Sequence, residues 1–75
     1  MSMLSEELAG WFDNFSQSAA IDMGQGGDDK ACVAEVCCTC LGTYEPELWE
    51  EYQALIAEHG YEAVFAEIVK VVRTL

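Results

Sequence analysis

Apolar residues recur at helical spacing along much of the chain, and this pattern predicts amphipathic helices. The first helix is predicted over about Met3 to Ala20, where Glu6, Asp13 and Gln17 lie opposite the apolar face. Ser2 or Ser5 can cap its start. That apolar face is formed by Leu4, Leu8, Trp11, Phe12, Phe15 and Ala19.

The second predicted helix, from about Lys30 to Leu41, is apolar nearly all round. Such a helix belongs in the middle of a bundle. Three glycines within residues 24–27 disfavour helix, so a flexible glycine-rich loop is predicted near residues 24–29. Asp28 or Asp29 can cap the helix, and Gly42 is predicted to end it.

Two more helices are predicted, from Pro46 to Gly60 and from about Tyr61 to Thr74. β-branched residues near the end leave a strand over Ile68–Leu75 as the local alternative. Short connections between amphipathic helices indicate a small helical bundle. The expected fold is therefore all-α, a single domain over residues 1–75 of about four short helices around a central apolar, cysteine-rich one.

The chain has 75 residues, of which 52% are hydrophobic, so it is expected to fold rather than remain disordered. The chain has 14 Asp and Glu residues and only three Lys and Arg residues, which gives a net charge of −11. This charge opposes compaction and repels nucleic acid and anionic lipid. We therefore expect neither direct nucleic-acid binding nor a membrane association.

Four cysteines lie within nine residues, at Cys32, Cys37, Cys38 and Cys40. Cys32, Cys37 and Cys40 have the spacing of the first three ligands of a plant-type [2Fe–2S] cluster, but no fourth cysteine follows. With His59 the same three thiols would supply four ligands for zinc. The favoured interpretation is that the thiols are reduced core side chains and that no cofactor is held. Zinc or an Fe–S cluster is the alternative.

Glutamates dominate one face of the third predicted helix. Glu47, Glu50, Glu51 and Glu58 fall within about 100° of its circumference, and Glu45 immediately precedes it. Tyr44 and Tyr52 lie near these charges and are candidate anchors for a partner. The predicted partner-binding residues are Glu45, Glu47, Glu50, Glu51, Glu58 and Tyr44.

A row of carboxylates can approximate the charges of a nucleic-acid backbone. The chain is similar in size and charge to small acidic phage proteins that inhibit host nucleases, restriction enzymes or CRISPR effectors, although no motif ties it to one of them. We therefore predict a non-enzymatic inhibitor or nucleic-acid mimic that binds a basic, nucleic-acid-handling protein.

The alternatives are a small metal- or Fe–S-binding protein and a helical adaptor subunit of a larger complex. Closely spaced cysteines do not suit a secreted disulfide framework, and the N-terminus has no basic segment, so a cytoplasmic location is expected. A single histidine among scattered serines forms no recognisable catalytic set.

Overall fold

The computed structural model describes residues 3–75 and consists of four α-helices and one short 3-10 helix. The α-helices are α1 (Glu6–Met23), α2 (Lys30–Tyr44), α3 (Pro46–His59) and α4 (Tyr61–Val71), with the 3-10 helix at Gly24–Asp28. The described residues contain no strand, so the all-α prediction is confirmed and the strand at Ile68–Leu75 is not formed.

Helix α1 begins at Glu6 because Ser5 caps it, with the Leu8 backbone N–H donating to Ser5 Oγ at 3.2 Å. The other predicted cap, Ser2, lies outside the described residues. The helix continues three residues beyond its predicted end to Met23, and the glycines that follow form a 3-10 helix rather than an open loop. Asp29 then caps α2 by accepting from the N–H groups of Ala31 and Cys32.

Gly42 does not end α2, contrary to the sequence prediction. The helix runs on to Tyr44, and a Cβ at Gly42 would lie 3.2 Å from the Trp49 ring. The glycine therefore allows α2 and α3 to approach closely. Single residues join the last three helices: Glu45 links α2 to α3, and Gly60, at φ 92°, links α3 to α4.

The core lies where α2 meets the other three helices. Its position confirms the expectation of a central cysteine-rich helix, although α2 is not buried all round, because Ala31 and Cys32 are exposed. The largest fully buried side chains are Leu8, Phe12, Val33, Cys37, Leu41, Val64 and Ile68, with Val72 from the C-terminal segment.

The C-terminal segment packs back on α1 instead of extending α4 to Thr74 as predicted. The Arg73 backbone N–H donates to the buried Ser16 hydroxyl at 2.8 Å, and the Leu75 N–H donates to the Gly27 carbonyl at 3.2 Å. Leu75 itself is 67% exposed.

Candidate functional site

A groove between the N-terminal parts of α1 and α3 gathers five carboxylates. Its volume is about 480 Å³, and among the described residues that line it none is basic. The carboxylates come from Glu6 and Glu7 of α1, from the linker residue Glu45, and from Glu47 and Glu51 of α3. Gly10, Trp11, Asn14 and Leu48 complete the lining.

Local helix chemistry explains how this many like charges can lie together. Glu6 and Glu7 occupy the first turn of α1, and Glu47 the first turn of α3, where the helix dipole favours negative charge. Each such carboxylate gains about 0.3–1 kcal/mol from the dipole. The two helix starts therefore offset part of the mutual repulsion in the groove.

One hydrogen bond joins the two sides of the groove. The Ser5 hydroxyl, which caps α1, donates to Glu51 Oε2 at 2.8 Å. Glu51 is correspondingly half-buried, whereas Glu7 and Glu47 are exposed at the rim. The groove thus has one fixed carboxylate inside and free carboxylates at its edge.

The structure divides the predicted partner-binding glutamates into two sets. Glu45, Glu47 and Glu51 lie together in the groove. Glu50 is exposed outside its lining, and Glu58 lies two turns further along α3, beside His59 with a Glu58 Oε2–His59 Nε2 distance of 3.8 Å. The predicted glutamate face therefore contributes only its N-terminal part to the groove.

Sequence reasoning missed Glu6 and Glu7 as members of this site. Their acidic character in the first turn of α1 was visible, but a periodic pattern gives no information about which distant helix end lies opposite. The hydroxyl of Ser5 was identified only as a cap, and its second bond to Glu51 depends on the packing of the two helices.

An aromatic row extends from the groove toward the end of α2. The Trp11 and Phe15 rings stack with their centroids 4.6 Å apart. The Phe15 and Tyr44 ring centroids are 5.7 Å apart. Trp11 and Phe15 are half-buried, while Tyr44 is 63% exposed, which suits the predicted role of an anchor. Tyr52, the other candidate anchor, has core spacing on α3 and is buried, so it is not available to a partner.

The few basic side chains are held elsewhere. Arg73 Nε donates to Asp13 Oδ1, and Lys70 Nζ lies 3.3 Å from Glu67 Oε1. Lys30 is exposed at the start of α2. No Lys or Arg from residues 3–75 therefore neutralises the carboxylates in the groove.

The alternative metal ligands are not brought together. Cys32 is exposed and Cys37 is fully buried, while Cys40 lies eight residues beyond Cys32, which is about 12 Å along a helix. His59 is exposed at the end of α3. In the described part of the chain no three His, Cys, Asp or Glu side chains are grouped so that they could hold a metal ion.

The environments of the thiols oppose thiolate formation. Burial raises the pKa of Cys37 to about 12. Burial also raises the pKa of Cys38, and this effect exceeds the lowering by the nearby Tyr52 hydroxyl. At the exposed Cys32, the hydrogen bond to Asp29 raises the thiol pKa, with the Sγ–Oδ2 distance at 3.5 Å. These directions fit structural cysteines better than nucleophiles.

Comparisons with known proteins add no family. No protein-family model matches the chain, and no match was found among curated proteins or among solved structures. None of the helices within residues 3–75 has the length and apolar character that a membrane crossing requires.

Proposed function

We propose that this chain is a non-enzymatic binding protein that uses its carboxylates to dock on the basic surface of a nucleic-acid-handling protein, as an inhibitor or nucleic-acid mimic. The observation that carries the proposal is the groove, where Glu6, Glu7, Glu45, Glu47 and Glu51 lie together and no Lys, Arg or His from the described part of the chain lines it. A partner rich in Lys and Arg would supply the missing countercharge.

The electrostatics of the whole chain favour the same kind of partner. A net charge of −11 attracts a basic surface over long range and increases the association rate at low salt. Proteins that bind nucleic acid carry such a surface as a groove or stripe of Lys and Arg. Because the free carboxylates at the groove rim are solvated, each contact contributes little, and affinity depends on several acting together.

The test compares two triple variants that remove the same charge from different places. Glu7→Gln, Glu47→Gln and Glu51→Gln remove three of the five groove carboxylates, whereas Asp22→Asn, Asp28→Asn and Glu62→Gln neutralise exposed carboxylates outside the groove. Each immobilised protein is used to capture partners from a bacterial lysate at low salt, and the captured proteins are identified by mass spectrometry.

We expect the wild type and the outer triple variant to retain nucleic-acid-handling proteins that duplex DNA or higher salt displaces. The groove variant should lose about 10- to 100-fold in affinity for the identified partner, since two exposed pairs and one half-buried pair are worth about 1–3 kcal/mol in total. Equal binding by both triple variants would contradict the proposal. Capture of proteins that neither DNA nor higher salt displaces would instead indicate an adaptor subunit.

A further inference from the structure

Gly10 is the α-helical glycine whose presence is not explained by contacts among the described residues. It lies in the interior of α1, where glycine is less favourable than alanine, and it lines the carboxylate groove. A Cβ added there would meet no atom of residues 3–75 within 4 Å. Neither a close neighbour nor an unusual backbone conformation therefore requires a glycine at this position.

Four of the other glycines have reasons to be glycine. Gly24 and Gly60 adopt positive φ, and a Cβ at Gly27 or Gly42 would lie within 3.2 Å of a neighbouring atom. Gly26 lies in the 3-10 helix, where a Cβ would make only ordinary contact with the Met23 side chain. Open space above a helix-interior glycine suggests that something outside the chain approaches the backbone there.

The surroundings of Gly10 indicate what would enter. Glu6 and Glu7 lie one turn before it and Asn14 one turn after it, so they border the same stretch of α1. The Trp11 indole forms the adjacent wall, and its stacking on Phe15 holds it in place. Carboxylates beside a fixed aromatic ring suit a planar guanidinium, which stacks on the ring and forms paired hydrogen bonds to carboxylate oxygens.

We propose that an arginine-bearing segment of the partner crosses α1 directly over Gly10 and places a guanidinium in the groove. This inference rests on the proposed function, because it names the part of the basic partner that the groove receives. The side chain enters beside Trp11 and pairs with the surrounding carboxylates, while the segment's backbone occupies the space that a larger residue at position 10 would fill.

The test changes the volume of the groove without changing its charge. Gly10→Leu fills the space over α1, and Ala66→Leu adds a leucine at an exposed position of α4 outside the groove lining. The probe is an acetylated and amidated nine-residue peptide of alternating Gly and Arg with a fluorophore, measured by anisotropy at 0.15 M salt, beside the same peptide with Lys for Arg. Thermal melts confirm that both variants fold.

We expect Gly10→Leu to weaken binding of the Arg peptide by about 10-fold, the equivalent of one displaced side-chain contact, and Ala66→Leu to leave it unchanged. The Lys peptide should bind the wild type more weakly and be less sensitive to Gly10→Leu. In nuclear magnetic resonance spectra, the Arg peptide should shift the Trp11 indole N–H signal.

The outcomes separate this inference from the proposed function. If Gly10→Leu binds the Arg peptide as the wild type does, while the groove triple Glu→Gln variant loses affinity, then carboxylate docking stands and entry over Gly10 is wrong. If neither change affects peptide binding, both proposals are wrong.

Discussion

The two halves of α1 both carry small residues, in opposite surroundings. In the C-terminal half, Ser16, Ala19 and Ala20 are buried at 0–4% exposure, and a Cβ at Gly27 would lie 2.3 Å from the Ala20 carbonyl oxygen. In the N-terminal half, a Cβ at Gly10 would meet none of the described atoms within 4 Å. The small residues of the C-terminal half are covered by other segments, whereas the small residue of the N-terminal half lies beneath an open groove.

This difference distinguishes the small residues that packing requires from the one that it does not. The covered half is held by the 3-10 helix and by the segment after α4, so its small residues permit backbone approach. The open half faces α3 across unneutralised carboxylates, where a small residue adds nothing to packing. Changes in the covered half should therefore reduce stability, while changes in the open half should leave the fold intact or stabilise it.

The largest expected effect is at Gly27. Gly27→Ala places a methyl group against the Ala20 carbonyl oxygen and the Leu75 side chain, so backbone must move. We expect the free energy of unfolding to fall by about 3 kcal/mol, the upper part of the usual range for overpacking. Urea unfolding measures it, with Gly26→Ala as control, because a Cβ there meets only the flexible Met23 side chain at 3.5 Å or more. Equal stability of the two variants would remove the distinction between the halves.

A smaller loss is expected at Ser16. Ser16→Ala removes the acceptor of the Arg73 N–H and leaves that donor without this bond, which costs about 1–2 kcal/mol. Thermal unfolding should show a decrease of about 4–16 °C in Tm. Ser18→Ala, at an exposed position of the same helix, is the matched control and should change Tm little. A Ser16→Ala protein as stable as this control would show that the C-terminal segment does not hold α1.

The open half should respond with the opposite sign. Gly10→Ala removes the cost of a helix-interior glycine and meets no neighbour, so unfolding should require about 0.5–1 kcal/mol more. Gly60→Ala is the contrasting variant. A Cβ there would also meet no described atom within 4 Å, but φ 92° strains any residue other than glycine, so this variant should be less stable. Destabilisation by Gly10→Ala, measured by urea unfolding, would mean that the groove is closed in solution.

The smallest effect concerns the exposed thiol at the junction of the 3-10 helix and α2. The Asp29 carboxylate raises the pKa of Cys32, so less thiolate is present at neutral pH. Asp29→Asn keeps an N-cap residue, lowers this pKa, and should speed alkylation of folded protein near pH 8 several-fold. Peptide mapping by mass spectrometry reads the rate at Cys32. Glu35→Gln should have a smaller effect, because Glu35 contributes less to the raised pKa.

The sign of the linked stability effect follows from Asp29. Hydrogen bonding to the Cys32 backbone N–H lowers the pKa of the folded Asp29 carboxyl. Its contribution to stability is therefore present above the pKa of the unfolded carboxyl and is lost as pH falls through the lower folded value. Asp29→Asn should remove this part of the acid sensitivity.

The helices could be predicted because each depends on short-range signals. Ser5 and Asp29 cap their helices as expected, and Gly60 ends α3. The errors arise where a distant segment decides. Gly42 reads as a helix end but accommodates Trp49, and the residues after Val71 leave the helix to bond with Ser16 and Gly27. No local pattern contains those partners.

The candidate site was only half predictable for the same reason. Glu47 and Glu51 were identified from their shared helix face, and Glu45 and the exposed Tyr44 from their positions just before that helix. Glu6, Glu7 and Gly10 were not, because they reach the groove only through the packing of α1 against α3. Tyr52 has core spacing on α3 and is buried, so its proximity to the glutamates along the chain does not make it an anchor.

The amino-acid sequence alone determined the helices, because helix periodicity and capping act over one or two turns. It also determined the excess of negative charge, because net charge is a sum over the residues. Tertiary structure alone decided where that charge is concentrated and where α1 is left uncovered. Bringing two helix starts together depends on how side chains interdigitate across distant parts of the chain, and a linear pattern does not contain that information.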